Sequence, residues 1–449
     1  MSYILNALHK ISLPKRAENP IIEELLSNYT YGEKWSVSFD SNANAITLGI
    51  FERASLDTSE FVLNITDDGV YIEGENYSAL MRGFITLLEK IKYDDAKECF
   101  YVENECVRKS PLIKFRCAHL CIFPETKLDF FKKCVRSCAV AKYSHVIFEF
   151  WGMLKFDCMK ELSWPFAYTK EQIREIVREA NALGVEIIPM FNHLGHASAC
   201  REINGKHVVL DQNPKYEYLF NSYGWVWNIG RSDVRELHSK IRAELMDVCG
   251  EGGYFHLGCD EAYSVGHDIG AASEMAEYIN SVAEDLKRKG RKAIIWHDLL
   301  LSKEDCAGYV SSSVKQVADL LTEKLDKNII IADWDYTAHG EIWKSPKKFT
   351  DAGFEVLCCP WEKQQNIEEA VNTVTDGGLY GIIHTTWHTL YASGFRGLVY
   401  SGILSYGTDA KNIDVERRFY CASVARKVMP AHGEYEKCGW SEKMTGPGL

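Results

Sequence analysis

The sequence has no long uninterrupted apolar run and no excess of basic residues. No stretch of the 449 residues approaches the roughly 18 apolar residues that a membrane-spanning helix needs. The formal net charge of −12 argues against nucleic-acid binding, which requires a basic face, and gives no support for docking on an anionic membrane. The N-terminal stretch MSYILNALHKISLPKR lacks the apolar core and cleavage site of a signal peptide, so we expect a cytosolic protein.

The cysteines lack a pattern. There are 15, an odd number, without the paired spacings of zinc sites or of a disulfide framework. Several fall within apolar, strand-like runs, where cysteine behaves as a small hydrophobic residue. We therefore expect reduced, buried thiols and neither a metal nor a cofactor.

The chain is long enough for two domains, and residues 1–110 read as a small α+β domain. Alternating apolar residues predict strands at WSVSF, AITLGIF, FVLNIT and VYIEG, with a hairpin turn at 67–69. A helical apolar period predicts a helix from Tyr77 to Ile91. Ser110-Pro111 then marks a boundary.

Residues 111–449 alternate between apolar runs and amphipathic segments, and end in a helical segment. Eight runs suit parallel strands buried on both faces: IKFRCAHLCIF, HVIFEF, VEIIPMFN, YFHLGCDE, KAIIWHD, NIIIADWDY, FEVLCCPW and GIIHTTW. Helix starts are predicted at a Thr169/Gln172 capping box, at Asp233 with Glu236, and at Ser345-Pro346. Eight such units predict an α/β fold, a (β/α)8 TIM barrel preceded by the small domain. A doubly wound open sheet is the competitor, but no glycine-rich nucleotide turn opens any of the helices.

The predicted strands end in polar and aromatic residues, and the active site of such a barrel lies at these carboxyl ends. Tryptophan is frequent there, as expected of a pocket that holds the apolar face of a sugar. The residues at the strand ends are Glu149, Asn192, His193, His196, Asp260, Glu261, Trp296, Asp298, Trp334, Asp335, Tyr336, Trp361, Glu362, Trp387 and His388.

Two adjacent carboxylates end the fourth run. Strand alternation places Asp260 inside the barrel, and Glu261 joins it only if the strand flares into a loop. Repulsion between neighbouring carboxylates predicts that Glu261 stays protonated and acts as a general acid near neutral pH. A retaining glycosidase with its own nucleophile holds two carboxyls ~5–5.5 Å apart on opposite sides of the bond, which adjacent residues fit poorly. They better fit a mechanism in which the nucleophile is a 2-acetamido oxygen of the substrate.

The sequence around this pair resembles glycoside hydrolase family 20, the β-N-acetylhexosaminidases. The family motif His-x-Gly-Gly-Asp-Glu is similar to His256-Leu-Gly-Cys259-Asp260-Glu261, and cysteine at the second glycine resembles the hexosaminidase D-like branch. The stretch FVLNITDDGVYIEGENYSALMRGFITLLEKI is similar to the end of the small domain that precedes the barrel in this family.

The resemblance implies a role for individual residues. Asp260 would orient the acetamide and Glu261 would be the general acid/base. The turn 192–196 resembles the family's Pro-Gly-His turn, so His196 would buttress Glu261, and Glu149 takes the place of the aspartate that pairs with this histidine. Arg116 would hold the outer hydroxyls of the terminal sugar. The other implied contacts to the sugar and its acetamide are Tyr336, Trp296, Asp298, Trp334, Asp335, Trp361 and Trp387.

The implied activity is that of an exo-acting, retaining β-N-acetylhexosaminidase that removes terminal β-linked GlcNAc or GalNAc from a glycoside or oligosaccharide. A metal-dependent barrel hydrolase using His193, His196, His256 and Asp260 is one alternative. A non-catalytic sugar-binding barrel and a chitinase-like endo-enzyme with an Asp-x-Glu acid are the others. Aromatic residues between Tyr216 and Trp227 suggest a subunit contact in a homodimer.

Overall fold

We describe the protein from a computed structural model. The structure describes residues 2–5, 10–12, 19–38, 46–50, 60–198, 205–305, 309–336, 343–390, 393–408 and 413–429. Within these residues no helix has the length and apolar character needed to cross a membrane.

The N-terminal region forms two sheets and two helices. A six-stranded sheet has the order β3-β2-β4-β6-β5-β9, and a three-stranded sheet has the order β1-β8-β7. The strands are β1 (Ser2–Leu5), β2 (Lys10–Ser12), β3 (Ser36–Ser38), β4 (Ile46–Ile50), β5 (Phe61–Thr66), β6 (Gly69–Gly74), β7 (Lys92–Asp94), β8 (Cys99–Glu103) and β9 (Glu105–Lys109), with helices α1 (Ile21–Tyr29) and α2 (Tyr77–Lys90).

The predicted hairpin and the predicted helix of this region are confirmed. Strands β5 and β6 pair antiparallel with Thr66 opposite Gly69, so residues 67 and 68 form the turn. Helix α2 ends one residue earlier than predicted, and the Asn76 side chain caps it by accepting a hydrogen bond from the Ala79 N–H. Both ends of the predicted strand AITLGIF lie outside the described residues.

The eight predicted runs form a closed barrel, so the predicted fold is confirmed. Its strands pair in parallel in the order β10-β11-β12-β15-β16-β17-β18-β19, and β19 closes on β10. The strands of this region are β10 (Phe115–Ile122), β11 (His145–Phe150), β12 (Glu186–Met190), β13 (Phe220–Asn221), β14 (Val226–Trp227), β15 (Tyr254–His256), β16 (Lys292–Trp296), β17 (Ile330–Asp333), β18 (Glu355–Cys358) and β19 (Gly381–Thr385). Strands β13 and β14 form a separate antiparallel pair.

Helices surround the barrel strands. They are α3 (Leu128–Val140), α4 (Lys170–Ala182), α5 (Val209–Gln212), α6 (Ser232–Cys249), α7 (Ile269–Arg288), α8 (Lys315–Lys324), α9 (Ser345–Asp351), α10 (Gln364–Gly377), α11 (Ser393–Ser405) and α12 (Ile413–Val428). The capping box of Thr169 and Gln172 is present at α4. The predicted start at Asp233 is wrong, because α6 begins at Ser232 and the Asp233 carboxylate pairs with Arg231.

The small domain contacts the barrel at the amino ends of its strands. The Tyr77 hydroxyl donates to the Ala182 carbonyl at 2.5 Å, and the Ser78 hydroxyl donates to the Gly184 carbonyl at 2.6 Å. The buried Arg82 guanidinium donates to the carbonyls of Leu183 at 3.2 Å and Gly184 at 3.0 Å. The carboxyl ends of the strands are thus left free to form a site.

Candidate active site

The backbone after β15 directs the adjacent side chains of Asp260 and Glu261 into the same cavity. The strand ends at His256, and the following residues include left-handed backbone at Gly258 (φ 67°), Cys259 (φ 74°) and Glu261 (φ 51°). Such strain in non-glycine residues costs roughly 1–3 kcal/mol each and concentrates at functional sites. The strand therefore flares at the position where two adjacent side chains must share one cavity.

The turn after β12 holds Asp260 in place. A Cβ at Gly195 would lie 2.1 Å from the Asp260 carbonyl oxygen, so only glycine allows this close approach. The Asn192 side-chain amide donates to Asp260 Oδ1 at 2.6 Å. Asp260 is therefore fixed by both its backbone and its carboxylate.

His196 bridges the two carboxylates. Its Nε2 lies 3.3 Å from Asp260 Oδ2 and 3.3 Å from Glu261 Oε2. Burial opposes a charge on the ring, but the Asp260 carboxylate and the hydrogen bonds to both acids outweigh it and raise the pKa of His196 to about 9. The ring is therefore a cation at neutral pH.

Glu261 is ionised at neutral pH when the cavity is open to water, which corrects the expectation of a protonated acid. Partial burial and the Asp260 charge raise its pKa, but the hydrogen bond and the charge of His196 lower it below its usual range. The expectation counted the repulsion from Asp260 and omitted the cation between the two acids.

Lys206 is a site residue that the sequence did not reveal. Its side chain is 1% exposed, and its Nζ lies 2.8 Å from Glu149 Oε1 and 3.4 Å from Asp260 Oδ2. The two carboxylates raise the pKa of Lys206 against the effect of burial, and Lys206 in turn holds the pKa of Asp260 and of Glu149 well below the usual range despite burial. In sequence, Lys206 lies well beyond the end of β12, in a loop that has no periodic pattern to indicate a site residue.

Glu149 contacts Lys206 and His119 rather than His196, so it does not make the pairing with this histidine that the family's aspartate makes. Its Oε2 lies 3.2 Å from His119 Nε2 and accepts from the Trp151 indole N–H at 3.0 Å. Lys206 occupies the space between Glu149 and Asp260, which explains why the histidine is out of reach.

One group of side chains among the described residues could hold a metal ion. The ligand atoms of His119, Cys121 and Glu149 all lie within 4.8 Å of one another and are buried. The Lys206 ammonium already sits against the same carboxylate, so a bound cation would meet its repulsion. The set named for the metal-dependent alternative does not converge: His193 Nε2 faces Arg242 at 3.0 Å, and His256 Nδ1 accepts from the Gly258 N–H at 3.0 Å.

A cavity of about 670 Å³ opens above the carboxylates. Eight of the predicted site residues line it: His196, Asp260, Glu261, Trp334, Asp335, Tyr336, Trp361 and Trp387. The Tyr336 hydroxyl accepts from the Trp387 indole N–H at 2.8 Å, so its own proton can be donated to a ligand. The Thr385 hydroxyl lies 3.4 Å away and gives its single proton to the Pro360 carbonyl at 2.9 Å.

Trp296 and Asp298 lie beneath the cavity and support it. The Trp296 ring is 1% exposed and contacts the rings of His256 and Trp387. Asp298 is fully buried, accepts from the Glu261 backbone N–H at 2.9 Å, and has a pKa that burial and the Asp260 charge raise to about 7. Both were predicted as sugar contacts, but neither reaches the cavity surface.

Arg116 lies at the opposite end of the barrel, so its predicted role as a sugar contact is wrong. It is the second residue of β10, and its guanidinium donates to the carbonyls of Ile113 at 2.6 Å, Lys114 at 3.0 Å and Lys142 at 2.9 Å. The apolar pattern of a strand does not show which of its ends carries the active site. In a barrel of this kind, the active site lies at the carboxyl ends of the strands.

Aromatic residues that the sequence analysis did not assign form opposite walls of the cavity. Phe123, Trp151 and Trp164 line one wall. On the other, Tyr309 stacks on Trp334 with ring centroids 5.3 Å apart.

The aromatic stretch from Tyr216 to Trp227 is partly internal. Trp227 is fully buried, and the Trp225 indole N–H donates to the Glu261 carbonyl at 2.7 Å. Tyr218 and Tyr223 are exposed. A subunit contact through this stretch stays a prediction.

Comparison with known proteins shows that the barrel is similar to glycosidases. Residues 150–365, from the last residue of β11 to the start of α10, match the family model "Glycosyl hydrolase family 20, catalytic domain". A lacto-N-biosidase of Bifidobacterium bifidum is 21% identical over 341 residues, covering 70% of this chain and 27% of that protein. A probable beta-hexosaminidase of Arthroderma benhamiae is 21% identical over 351 residues, covering 67% of this chain and 51% of that protein. The chain therefore spans about a quarter to a half of these relatives.

Solved structures share the fold across almost the whole chain. The family 20 β-N-acetylhexosaminidase of Streptomyces coelicolor superposes with a TM-score of 0.69 at 15% identity, covering 95% of this chain and 93% of that one. The family 20 exo-β-N-acetylglucosaminidase of Vibrio harveyi, solved with N-acetylglucosamine, gives a TM-score of 0.68 at 15% identity, covering 96% of this chain and 74% of that one.

Proposed function

We propose that the protein, whose residues 150–365 match the catalytic-domain model of glycosyl hydrolase family 20, is an exo-acting, retaining β-N-acetylhexosaminidase that uses the substrate's acetamide as nucleophile. The observation that carries the proposal is the single His196 nitrogen 3.3 Å from both carboxylates. The His196 ring therefore lies between the two acids, whereas an acid and a protein nucleophile have the sugar between them. The two acids suit a reaction in which the nucleophile belongs to the substrate.

The reaction has two steps. In the first, the acetamide carbonyl oxygen bonds to the anomeric carbon, the bond to the leaving oxygen breaks, and Glu261 gives that oxygen its proton. Asp260 accepts the amide N–H and stabilises the positive charge of the oxazolinium ion. In the second, Glu261 takes a proton from water as the water opens the ring from the opposite face. Two inversions retain the β configuration.

The acetamide is held by the aromatic part of the cavity. Tyr336 donates its hydroxyl proton to the acetamide carbonyl oxygen, because its own oxygen already accepts from the Trp387 indole N–H. The rings of Trp334 and Trp387 line the space around the methyl group.

The proton that Glu261 delivers is held on His196 before substrate binds. The two groups hydrogen bond, so the proton moves along an existing contact. A sugar that fills the cavity removes water from Glu261, which is 24% exposed, and a less polar surrounding favours the neutral pair over the ion pair.

The proposal is tested with chromogenic β-glycosides that differ in the 2-substituent. We expect hydrolysis of aryl β-N-acetylglucosaminide or β-N-acetylgalactosaminide, at least about 10³-fold slower hydrolysis of the matching β-glucoside, and competitive inhibition by a thiazoline analogue of the bicyclic intermediate. Equal rates with and without the acetamide would point to a protein nucleophile. Inactivity on all of them, with thiazoline still bound, would indicate a sugar-binding barrel.

Release of a disaccharide is a second candidate, favoured by the wall of Phe123, Trp151 and Trp164. Phe123 follows β10 and Tyr309 follows β16, and these strands face each other across the eight-stranded ring. We place the leaving group beside Tyr309, because Tyr309 lies close enough to Glu261, the proposed proton donor, for burial and that carboxylate together to raise the pKa of its hydroxyl. The aromatic wall therefore lies beyond the non-reducing end, where a second sugar ring would stack. Faster hydrolysis of an aryl lacto-N-bioside than of the aryl N-acetylglucosaminide would establish it.

A further inference from the structure

Lys206 lines the cavity and is held in place by its surroundings. Its backbone N–H donates to the His196 carbonyl at 2.7 Å. Its Nζ lies 5.4 Å from the ring centroids of Trp151 and Trp387. The anchored backbone and the two flanking rings leave the ammonium directed at Glu149 and Asp260.

Asp260 faces more than one charged group. Its Oδ1 accepts from the Asn192 amide, and its Oδ2 faces Lys206 and His196. The other titratable groups that interact with it are Glu149, Glu261, Asp298, His256, Cys259 and Tyr336. Three of these are carboxyls, so Asp260 can stay ionised only with a compensating cation.

We propose that Lys206 is a positioning residue that keeps Asp260 ionised and oriented throughout the reaction, and thereby sets the lowest pH at which the enzyme works. This inference rests on the proposed function, in which an ionised Asp260 accepts the acetamide N–H.

His196 alone cannot provide this constant charge. Its proton is shared with Glu261, and Glu261 changes its protonation state twice in each catalytic cycle. When the proton is on Glu261, His196 is neutral and Asp260 loses that counter-ion. Lys206 contacts Asp260 and Glu149, neither of which exchanges a proton during the reaction, so its charge persists.

The test is the pH dependence of kcat/KM for an aryl β-N-acetylglucosaminide, which reports ionisations of the free enzyme. The acid limb of this profile is the pH range in which kcat/KM falls as the pH is lowered. In Lys206→Met, two buried carboxylates lose their cation, and we expect the acid limb to move up by about one to three pH units. Lys206→Arg keeps the charge and should restore the limb to within about half a pH unit of wild type.

Glu149→Gln provides the matched control. It removes the Glu149 carboxylate, so that Asp260 is the one remaining carboxylate that Lys206 faces in this pair. The acid limb should therefore not rise. The double variant Lys206→Met/Glu149→Gln should fall between Lys206→Met and Glu149→Gln. If Lys206→Met fails to fold, the comparison of Glu149→Gln with the double variant carries the same test, with a smaller rise.

A Lys206→Met enzyme that is folded by circular dichroism and less active at every pH, with its acid limb unmoved, would overturn the proposal and leave the proposed function standing. Wild-type protein that hydrolyses none of the acetamido glycosides would overturn both.

Discussion

The two ends of the barrel each bury cations, but with different partners. At the amino ends of the strands, Arg82 and Arg116 donate to backbone carbonyls, and burial lowers the pKa of both. At the carboxyl ends, Lys206 and His196 face carboxylates, and their pKa values are raised. Among these four residues, backbone dipoles hold Arg82 and Arg116 in place, whereas Lys206 and His196 and the carboxylates they face keep each other ionised. Burial alone does not separate the two roles; the partners do.

The largest effect that this comparison predicts belongs to Glu261. Glu261→Gln removes the proton donor, so we expect kcat for a poor phenol leaving group to fall by about 10²–10⁴-fold. A dinitrophenyl leaving group needs little protonation and should lose far less. Steady-state rates with both substrates check this, and thermal unfolding should stay within a few degrees of wild type.

The control for this prediction is Glu186→Gln at the other end of the barrel. The Glu186 carboxylate accepts from the Gly253 backbone N–H at 2.6 Å and lies far from the cavity. This variant should change stability and leave the rates unaltered. Equal losses on both substrates in Glu261→Gln would remove Glu261 from the role of acid.

Periodicity and local motifs were enough to predict the barrel and its pair of carboxylates. The eight apolar runs correspond to the eight barrel strands, and the adjacent pair Asp260 and Glu261 lies in the cavity. Lys206 escaped prediction because its partners are 57 and 54 positions away in sequence, Glu149 and Asp260, and only the closed barrel brings them together. Arg116 was misplaced although a signal existed: it stands near the start of its apolar run, which is the wrong end for a site.

A smaller effect, on stability alone, is expected for Arg116. Arg116→Met removes hydrogen bonds to the carbonyls of Ile113, Lys114 and Lys142, and should lower the free energy of unfolding by about 2–4 kcal/mol. Denaturant unfolding measures this. The KM for an aryl N-acetylglucosaminide should stay within about twofold of wild type, because the guanidinium lies at the far end of the strands. A tenfold rise in KM with unchanged stability would restore Arg116 as a sugar contact.

The smallest effect is expected at Cys259, which lies at the carboxyl end of the barrel and has strained backbone. Cys259 has φ 74° and is fully buried, with its thiol directed to the Leu257 carbonyl at 3.5 Å. Cys259→Gly relieves strain of about 1 kcal/mol but loses buried contacts and adds about 0.5–1 kcal/mol of unfolded-state entropy. These terms oppose each other, so stability should change by less than about 1 kcal/mol and kcat/KM by less than about threefold. Cys259→Ala keeps the strain and loses the contacts, so it should be the less stable of the two. A tenfold loss of activity in Cys259→Gly would mean that the thiol itself sets the path by which Asp260 and Glu261 enter the cavity.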